Sequence, residues 1–342
     1  MPKVSVVMPV YSSEKYVGEA IESILVQTYK DFELIVIDDC SKDSSAKIIE
    51  KYTNDSRVHF IKNDTNQGFL YGLNKGIELA KGEYIARLDD DDVCYPTRLE
   101  KQIEYLDKNR DVVLVGTHID LLQNGKYIAK EKAPINEKNE IKFSLPFGNY
   151  LIAHSSFMMR KEVLTENNII YEKFVQTPDY NMLCNMSRVG DLYCLDEPLC
   201  AWRIHEAQST QTRTRKMKQY EEDLTKHDHI EKLPINEVLK EDMLKVVGRK
   251  LKTFKDFKLI KSVLFSYAKE CGVEDNYYKS DCVKYIYNDL IKRQRYCIPS
   301  LYHYIRDGLG DIRWLFSRPG IGYIIRCIFS MNKEWFGETD AY

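Results

Sequence analysis

The sequence predicts an α/β protein built on a doubly wound, mainly parallel sheet flanked by helices. Short apolar runs alternate with segments of helical periodicity along the first half of the 342-residue chain, and short polar loops join them. This alternation is typical of parallel sheets, in which a helix follows each strand. In such sheets ligands bind beyond the carboxyl ends of the strands, so polar residues that directly follow a strand are the first candidates for a functional site.

Four strand-and-helix pairs are predicted in the first 110 residues. Each strand is a short run rich in Val, Ile and Leu, and each helix places apolar residues on one stripe, as Val17, Ile21 and Ile24 do. The predicted strands cover residues 4–9, 33–38, 58–61 and 83–88; the helices cover 14–27, a stretch through Ile48 and Ile49, 69–80, and a stretch from Pro96 through Leu106.

The pattern beyond residue 110 is less regular and predicts the far part of the same sheet. Strands are expected at 112–116, 126–129, 155–160 and 192–195, with a helix at 179–188. After about residue 210, helical periods dominate, with faces rich in Lys and Glu. We therefore predict an α/β domain over residues 1–212, with halves at 1–110 and 111–212, and a helical C-terminal region over residues 213–342.

Composition and charge exclude several classes of protein. Fifty basic and 52 acidic side chains give a formal net charge of −2, which argues against a dedicated nucleic-acid-binding protein. No apolar run approaches the roughly 18 residues of a membrane span, and the opening stretch lacks the features of a secretory signal. The nine cysteines include no C-x-x-C pair, so we expect reduced thiols in a cytosolic protein rather than a disulfide scaffold or zinc ribbon.

Four consecutive carboxylates, Asp89 to Asp92, come directly after the fourth predicted strand. Packed carboxylates repel one another and resist ionisation unless a cation compensates them. Mn²⁺ or Mg²⁺ suits this task, because such an ion takes oxygen ligands and keeps open positions that a diphosphate can fill. The alternative is a solvated acidic loop, but the position after a strand favours a metal site.

Two further groups of residues follow the first two strands. Asp38 and Asp39 end the second strand, where a carboxylate can accept a hydrogen bond from the ring N–H of a base such as uracil. Tyr11 follows the first strand and could lie against that base. The alternatives are a helix cap for one of the aspartates and simple packing for Tyr11.

Asp179 and His205 are candidates nearer the end of the predicted domain. Asp179 begins the predicted helix 179–188, where an aspartate is either a helix cap or a site residue. Arg203 and His205 end a predicted strand and could face a phosphate or a metal, with a structural role as the alternative for the histidine. No G-x-G-x-x-G, P-loop or G-x-S-x-G motif is present, which argues against dinucleotide oxidoreductases, P-loop phosphate binding and α/β-hydrolases.

Taken together, these segments resemble a bacterial family 2 glycosyltransferase with the GT-A fold. The resemblance covers about the first 210 residues, and its specificity comes from the order of the motifs rather than from any one of them. The matching segments are residues 4–43, Asn66-Gln67-Gly68, Asn74-Lys75-Gly76, Gly82–Asp92 (GEYIARLDDDD), His154–Arg160, Pro178-Asp179-Tyr180 and Pro198–Ser209 (PLCAWRIHEAQS).

The resemblance implies a role for each matching side chain. Asp39 would bind the uracil ring, with Pro9 and Tyr11 lining the base pocket. Asp89 would lie nearer the ribose, Asp91 would bind the metal that bridges the two phosphates, and Asp92 would support them. Asp179 would be the general base. The implied nucleotide-sugar-binding set is Pro9, Tyr11, Asp39, Asn66, Gly68, Asp89 and Asp90, and the implied metal ligands are Asp91 and His205.

The resemblance further implies an inverting, metal-dependent hexosyltransferase that uses Mn²⁺ or Mg²⁺. It would move a sugar from a nucleotide sugar, expected to be a UDP-sugar, to a glycan or lipid-linked acceptor during synthesis of a bacterial surface polysaccharide. The expected location is the cytoplasm, with peripheral contact at the cytoplasmic face of the inner membrane.

The C-terminal stretch from Arg293 to Trp335 mixes cations with bulky apolar residues. Basic amphipathic helices with interfacial tryptophan are typical of segments that lie on an anionic membrane surface. Packing against the catalytic domain, or against a second subunit in a homo-oligomer, fits the helical periodicity equally well.

Three residues depart from the family pattern. Ser12 stands where Asn is frequent, Leu73 where Arg is frequent, and Pro178 where an acidic residue commonly precedes the base. Together these departures leave the sugar of the donor undetermined. Two other functions stay open. A nucleotidyltransferase would want a phosphate loop rich in Gly and Lys or Arg after the first strand, where this chain has Tyr11-Ser12-Ser13-Glu14. A non-catalytic nucleotide-sugar- or glycan-binding module would tolerate Pro178.

Overall fold

The computed structural model describes residues 1–129, 135, 137–150, 153–172, 177–206, 215–248, 254–273 and 280–293. The chain divides into two compact units. The first contains the described residues of 1–132, 136–142 and 149–222, and the second those of 133–135, 143–148 and 223–342. The predicted domain boundary at residues 212 and 213 lies outside the described residues and stays a prediction.

The first unit contains one mixed sheet with helices packed on it. Its strands are β1 (Val4–Val10), β2 (Phe32–Asp38), β3 (Val58–Lys62), β4 (Tyr84–Arg87), β5 (Val93–Cys94), β6 (Val112–Gln123), β7 (Lys126–Ala129), β8 (Met158–Arg160) and β9 (Asp191–Ile204). The spatial order is β3-β2-β1-β4-β8-β6-β9-β5, with β7 paired to β6. The helices from residue 1 to residue 206 are α1 (Val17–Leu25), α2 (Ser45–Glu50), α3 (Phe69–Leu79), α4 (Arg98–Lys108), α5 (Lys138–Ser144), α6 (Lys161–Glu166) and α7 (Pro178–Met186).

The direction of the strands brings several polar segments to one edge of the sheet. β1 pairs in parallel with β2 and β4, so all three end at the same edge. β8 is antiparallel to both β4 and β6, and β6 is parallel to β9. β9 therefore ends at the edge where β4 ends, and the residues that precede β8 lie at that edge too.

The predicted mixed, mainly parallel sheet is confirmed, and the hydrophobic core explains its sequence pattern. Every residue of β1 and β2 is buried, as expected for central strands covered on both faces. β6 and β9 are both longer than predicted. In β9 the reason is that Asp196, Glu197 and Pro198 interrupt its apolar run. The pairing of β6 with β9 shifts register at Thr117–Ile119, and such irregularities accommodate a proline within a strand.

Gly82 allows the α3–β4 connection to pass close to β1. A Cβ atom at Gly82 would lie 2.6 Å from the backbone nitrogen of Ser5 and 2.7 Å from the carbonyl carbon of Val4. Because the obstruction is backbone, we expect Gly82→Ala to lower the free energy of unfolding by about 1–3 kcal/mol, the usual cost of overpacking. Denaturant titration would measure this, with the exposed Lys81→Ala as the control. Equal midpoints for the two variants would contradict the prediction.

The second unit is helical throughout its described residues from 223 onward. Its helices are α8 (Arg215–Glu231, which begins in the first unit), α9 (Glu237–Val247), α10 (Phe254–Glu270) and α11 (Asp281–Arg293). Within this unit Tyr267 packs against the rings of Phe143 and Phe147, with centroid separations of 5.8 Å and 6.2 Å. The predicted helical character is confirmed for these residues. Residues 294–342, which carry most of the predicted membrane-binding stretch, lie outside the described part of the chain.

No helix within the described ranges combines the length and the low charge that crossing a bilayer would require.

Candidate active site

Asp90 connects the acidic segment to the residues that follow β1. The backbone N–H of Tyr11 donates a hydrogen bond to Asp90 Oδ2 at 3.0 Å, and the Ser13 hydroxyl donates to the Asp90 carbonyl oxygen at 3.1 Å. Burial, followed by the negative charge of Asp91, raises the pKa of Asp90 well above its ordinary value. The predicted role of Asp90 in donor binding stays a prediction, and its contacts fix the chain entering α1.

Asp89 and Asp92 share one hydroxyl group, that of Ser155. The Ser155 Oγ lies 2.9 Å from Asp89 Oδ2 and also contacts Asp92 Oδ2. Asp89 pairs in addition with the buried Arg87, and Asp92 Oδ1 accepts the backbone N–H of Arg203 at 3.0 Å. Because a hydroxyl carries one proton, it can donate to only one of the two carboxylates at a time. The cluster therefore contains more acceptor oxygens than Ser155 can satisfy.

Asp91 faces His205 at the open side of this cluster. The His205 Nε2 lies 2.9 Å from Asp91 Oδ2, and both side chains are less than one quarter exposed. The Arg203 Nε–H donates to the Asp91 carbonyl oxygen at 2.8 Å. The two predicted metal ligands, Asp91 and His205, are therefore adjacent.

The charges of this cluster favour a bound cation. Ligand atoms of Asp89, Asp91 and Asp92 all lie within 4.8 Å of one another. Burial, and then the charge of Asp89, raises the pKa of both Asp91 and Asp92, and His205 partly offsets the effect on Asp91. Carboxylates held this close ionise together only when a positive charge compensates them.

The donor atoms also fit a small divalent ion. Two ligands at right angles on an ion with bonds of about 2.1 Å lie about 3.0 Å apart, close to the 2.9 Å between His205 Nε2 and Asp91 Oδ2. Asp92 is fully buried and its Oδ1 accepts the Arg203 N–H, whereas Asp91 and His205 are partly exposed, so Asp91 and His205 are better placed as ligands than Asp92. The residues present thus suit Mg²⁺ or Mn²⁺.

Asp39 holds the loop that leads into α3. Its Oδ1 accepts hydrogen bonds from Asn63 Nδ2 and the backbone N–H of Gln67, both at 2.8 Å, and its Oδ2 accepts the N–H of Gly68 at 2.7 Å. Gly68 has φ +91° and directly precedes α3. Asn66 is exposed in the same loop. Asp39 and Gly68, two of the predicted donor residues, are therefore in contact. Asp38 instead accepts the N–H of Ser41 in a local turn.

Pro9 and Tyr11 lie at and just beyond the end of β1. Pro9 is buried in β1, where Gly72 of α3 lies close against its ring. Tyr11 is 51% exposed. Its backbone N–H contacts Asp90, and an exposed aromatic side chain after β1 suits the predicted role of Tyr11 against a base, which stays a prediction.

Asp179 is the second residue of α7, and the charged groups that act on it are Arg87 and Asp89. Burial raises its pKa, and the N–H of Tyr180 and the charge of Arg87 partly offset this effect. Nearby, the His154 Nε2 lies 2.9 Å from the Tyr171 hydroxyl. Burial and then Arg87 lower the pKa of His154 well below its ordinary value, so this imidazole is neutral near pH 7. A carboxylate with a raised pKa is suited to accept a proton from a substrate.

Sequence reasoning gave no role to Arg87 or Ser155. Ser155 precedes β8, which is antiparallel to its neighbours. The start of β8 therefore lies at the edge where the parallel strands end, and a search limited to residues that follow strands misses Ser155. Arg87 belongs to β4 itself, where a buried residue suggests packing. The available signal was an arginine two positions before the first aspartate of an acidic run, since a buried guanidinium needs acceptors and a nearby carboxylate is a strong one.

Comparison with known proteins identifies relatives of this chain. The sequence model of "Glycosyl transferase family 2" matches residues 5–167. An uncharacterized glycosyltransferase of Methanocaldococcus jannaschii is 37% identical over 224 residues, which cover 64% of this chain and 77% of the relative. An uncharacterized glycosyltransferase of Haemophilus influenzae is 32% identical over 224 residues, covering 61% of this chain and 68% of the relative.

A solved structure with a similar fold is that of residues 1–349 of Staphylococcus aureus TarS in complex with UDP-GlcNAc. The two chains superpose with a TM-score of 0.60 at 19% sequence identity, covering 89% of this chain and 87% of the other. The same part of TarS in complex with UDP superposes with a TM-score of 0.58. At this identity the likeness concerns the fold.

Proposed function

This chain belongs to glycosyltransferase family 2, and from that premise we propose that it is a metal-dependent, inverting enzyme that uses a UDP-sugar. The acceptor is a hydroxyl group of a glycan or lipid-linked glycan, and the product contributes to a bacterial surface polysaccharide made at the cytoplasmic face of the membrane. The observation that carries the proposal is the carboxylate cluster of Asp89, Asp91 and Asp92 beside His205.

Asp39 is the residue proposed to bind the uracil ring of the donor. Each carboxylate oxygen can accept two hydrogen bonds, and Asp39 Oδ2 accepts the Gly68 N–H, so it can accept a ring N–H of uracil as well. The contacts of Asp39 to the 63–68 loop hold this carboxylate in place before a donor binds. TarS, which has a similar fold, was crystallised with UDP-GlcNAc, and this supports a uridine nucleotide here.

The metal and the base would act on opposite sides of the reacting sugar. Asp91 and His205 would hold the ion, which when bound neutralises the charge on the departing diphosphate. Asp179 would accept the proton of the acceptor hydroxyl, whose oxygen attacks the anomeric carbon as the bond to the diphosphate breaks. A single displacement of this kind inverts the anomeric centre.

The experiment that tests the proposal is a screen of nucleotide sugars for release of the nucleoside diphosphate. We expect UDP release from one or a few UDP-sugars in the presence of Mn²⁺, and less than one tenth of that rate with EDTA. In parallel reactions with added pyrophosphate, formation of UTP and a sugar 1-phosphate from the UDP-sugar would instead indicate a nucleotidyltransferase. UDP binding by calorimetry without turnover of any donor, with mixed glycan acceptors present, would indicate a non-catalytic binding module.

A further inference from the structure

Tyr16 lies between β1 and α1 and contacts two side chains from the end of β9. Its ring centroid is 4.6 Å from that of His205, with an angle of 38° between the planes. The Arg203 guanidinium carbon lies over the same tyrosine ring, 4.9 Å from its centroid. The Tyr16 backbone N–H donates to the carbonyl of Ser13 at 3.0 Å, which fixes the backbone from which the ring projects.

Both contacts of Tyr16 lead to Asp91. His205 reaches the Asp91 carboxylate through Nε2, and Arg203 reaches the Asp91 carbonyl oxygen through its Nε–H. Arg203 is held a second time by α1, because its Nη2 donates to Glu19 Oε2 at 2.6 Å. The start of α1 therefore contacts His205 directly and Asp91 through Arg203, from outside the acidic cluster.

A histidine that follows a strand needs such support. His205 comes directly after the last residue of β9, so no strand pairing restrains it, and the torsion that sets the plane of an imidazole is broad. Metal affinity depends on groups that orient the ligating ring, and their loss typically costs 10–100-fold in affinity. Tyr16 meets the face of the ring and leaves Nε2 directed at Asp91.

We propose that Tyr16 is a positioning residue of the metal site, whose ring orients the His205 imidazole toward the ion shared with Asp91. The inference rests on the proposed function, since that function assigns His205 and Asp91 to a metal. The inference assigns this role to the aromatic ring of Tyr16, which contacts the imidazole, and not to its hydroxyl group.

The test measures Mn²⁺ binding directly, by the electron paramagnetic resonance signal of free Mn²⁺ in the presence of saturating UDP. We expect Tyr16→Leu to raise the Kd for Mn²⁺ about tenfold, and Tyr16→Phe, which keeps the ring, to change it less than about twofold. Tyr16→Met replaces the leucine variant if circular dichroism shows that the latter is unfolded.

A double-mutant cycle with His205→Ala distinguishes positioning from general packing. If Tyr16 acts through His205, adding Tyr16→Leu to His205→Ala changes the Kd less than about twofold. A further tenfold loss in that background, or an unchanged Kd for Tyr16→Leu in the otherwise wild-type protein, overturns the inference. Failure of the wild-type protein to bind Mn²⁺ with UDP would instead overturn the proposed function.

Discussion

Replacement of Asp179 by asparagine is expected to slow sugar transfer by about 10²–10⁴-fold, the usual contribution of a general base. The amide keeps the shape of the carboxylate but cannot take the acceptor proton. UDP and Mn²⁺ affinities should stay within about twofold, because the proposed metal ligands are Asp91 and His205. Turnover of the donor with acceptor measures the first effect, and calorimetry measures the second.

The pH dependence of the same reaction gives an independent test of Asp179. Burial raises its pKa above the ordinary value of 3.8, and only the ionised form can act as a base. Transfer should therefore fall as the pH drops through that raised pKa, about tenfold per unit below it, and level off above it. The residual activity of Asp179→Asn should lack this acidic limb. The exposed carboxylate of Glu162 provides a matched control, since Glu162→Gln should retain both the rate and the limb.

If Asp179→Asn transfers sugar at the wild-type rate, the proton acceptor is another group, and the assignment of Asp179 as the general base is wrong.

The fold was predictable for segments in which every residue has the same environment, such as a strand that is buried along its whole length. β1 and β2 are buried on both faces, so their sequences are nearly continuous apolar runs and could be read directly. β5 has two residues, and β9 contains Asp196, Glu197 and Pro198 within a register shift. β5 is too short to show a periodicity, and only two parts of β9 could be predicted, one at 192–195 and one ending at His205, because the three polar and proline residues between them interrupt the apolar pattern.

The candidate site was predictable to the extent that its residues follow parallel strands. Asp39, Asp91 and His205 could be proposed for that reason and for their resemblance to a family pattern. The groups that hold these side chains in place could not be predicted. The N–H groups that donate to Asp39 and the hydroxyl of Ser155 come from segments that become neighbours only in the completed sheet. The sequence likewise offers no sign that Tyr16, 189 positions from His205 in the chain, meets its ring.

Asp91→Asn is the second replacement with a large expected effect, and it is expected to weaken metal binding rather than proton transfer. Removing one charged ligand should raise the Kd for Mn²⁺ by about 100-fold, so metal-dependent UDP binding should weaken in parallel. Thermal unfolding with UDP and Mn²⁺ reports this change. At a Mn²⁺ concentration of 100 times the wild-type Kd, the ion stabilises the wild type by about 2.7 kcal/mol and the variant by only about 0.4 kcal/mol.

The neighbouring Asp92→Asn variant should behave in the opposite way, and the contrast tests the assignment of the ligands. Asp92 is buried, with one oxygen on the Arg203 N–H and the other on Ser155, so its replacement leaves a buried amide beside groups that favour a carboxylate. The metal-free Asp92→Asn protein should unfold at a lower temperature. Both replacements remove a repelling carboxylate, but an asparagine at 92 has only one acceptor oxygen for the two donors that Asp92 meets, so only metal-free Asp91→Asn should be at least as stable as the wild type. Equal Mn²⁺ affinity in Asp91→Asn and the wild type would remove Asp91 from the metal site, whatever Asp92→Asn does.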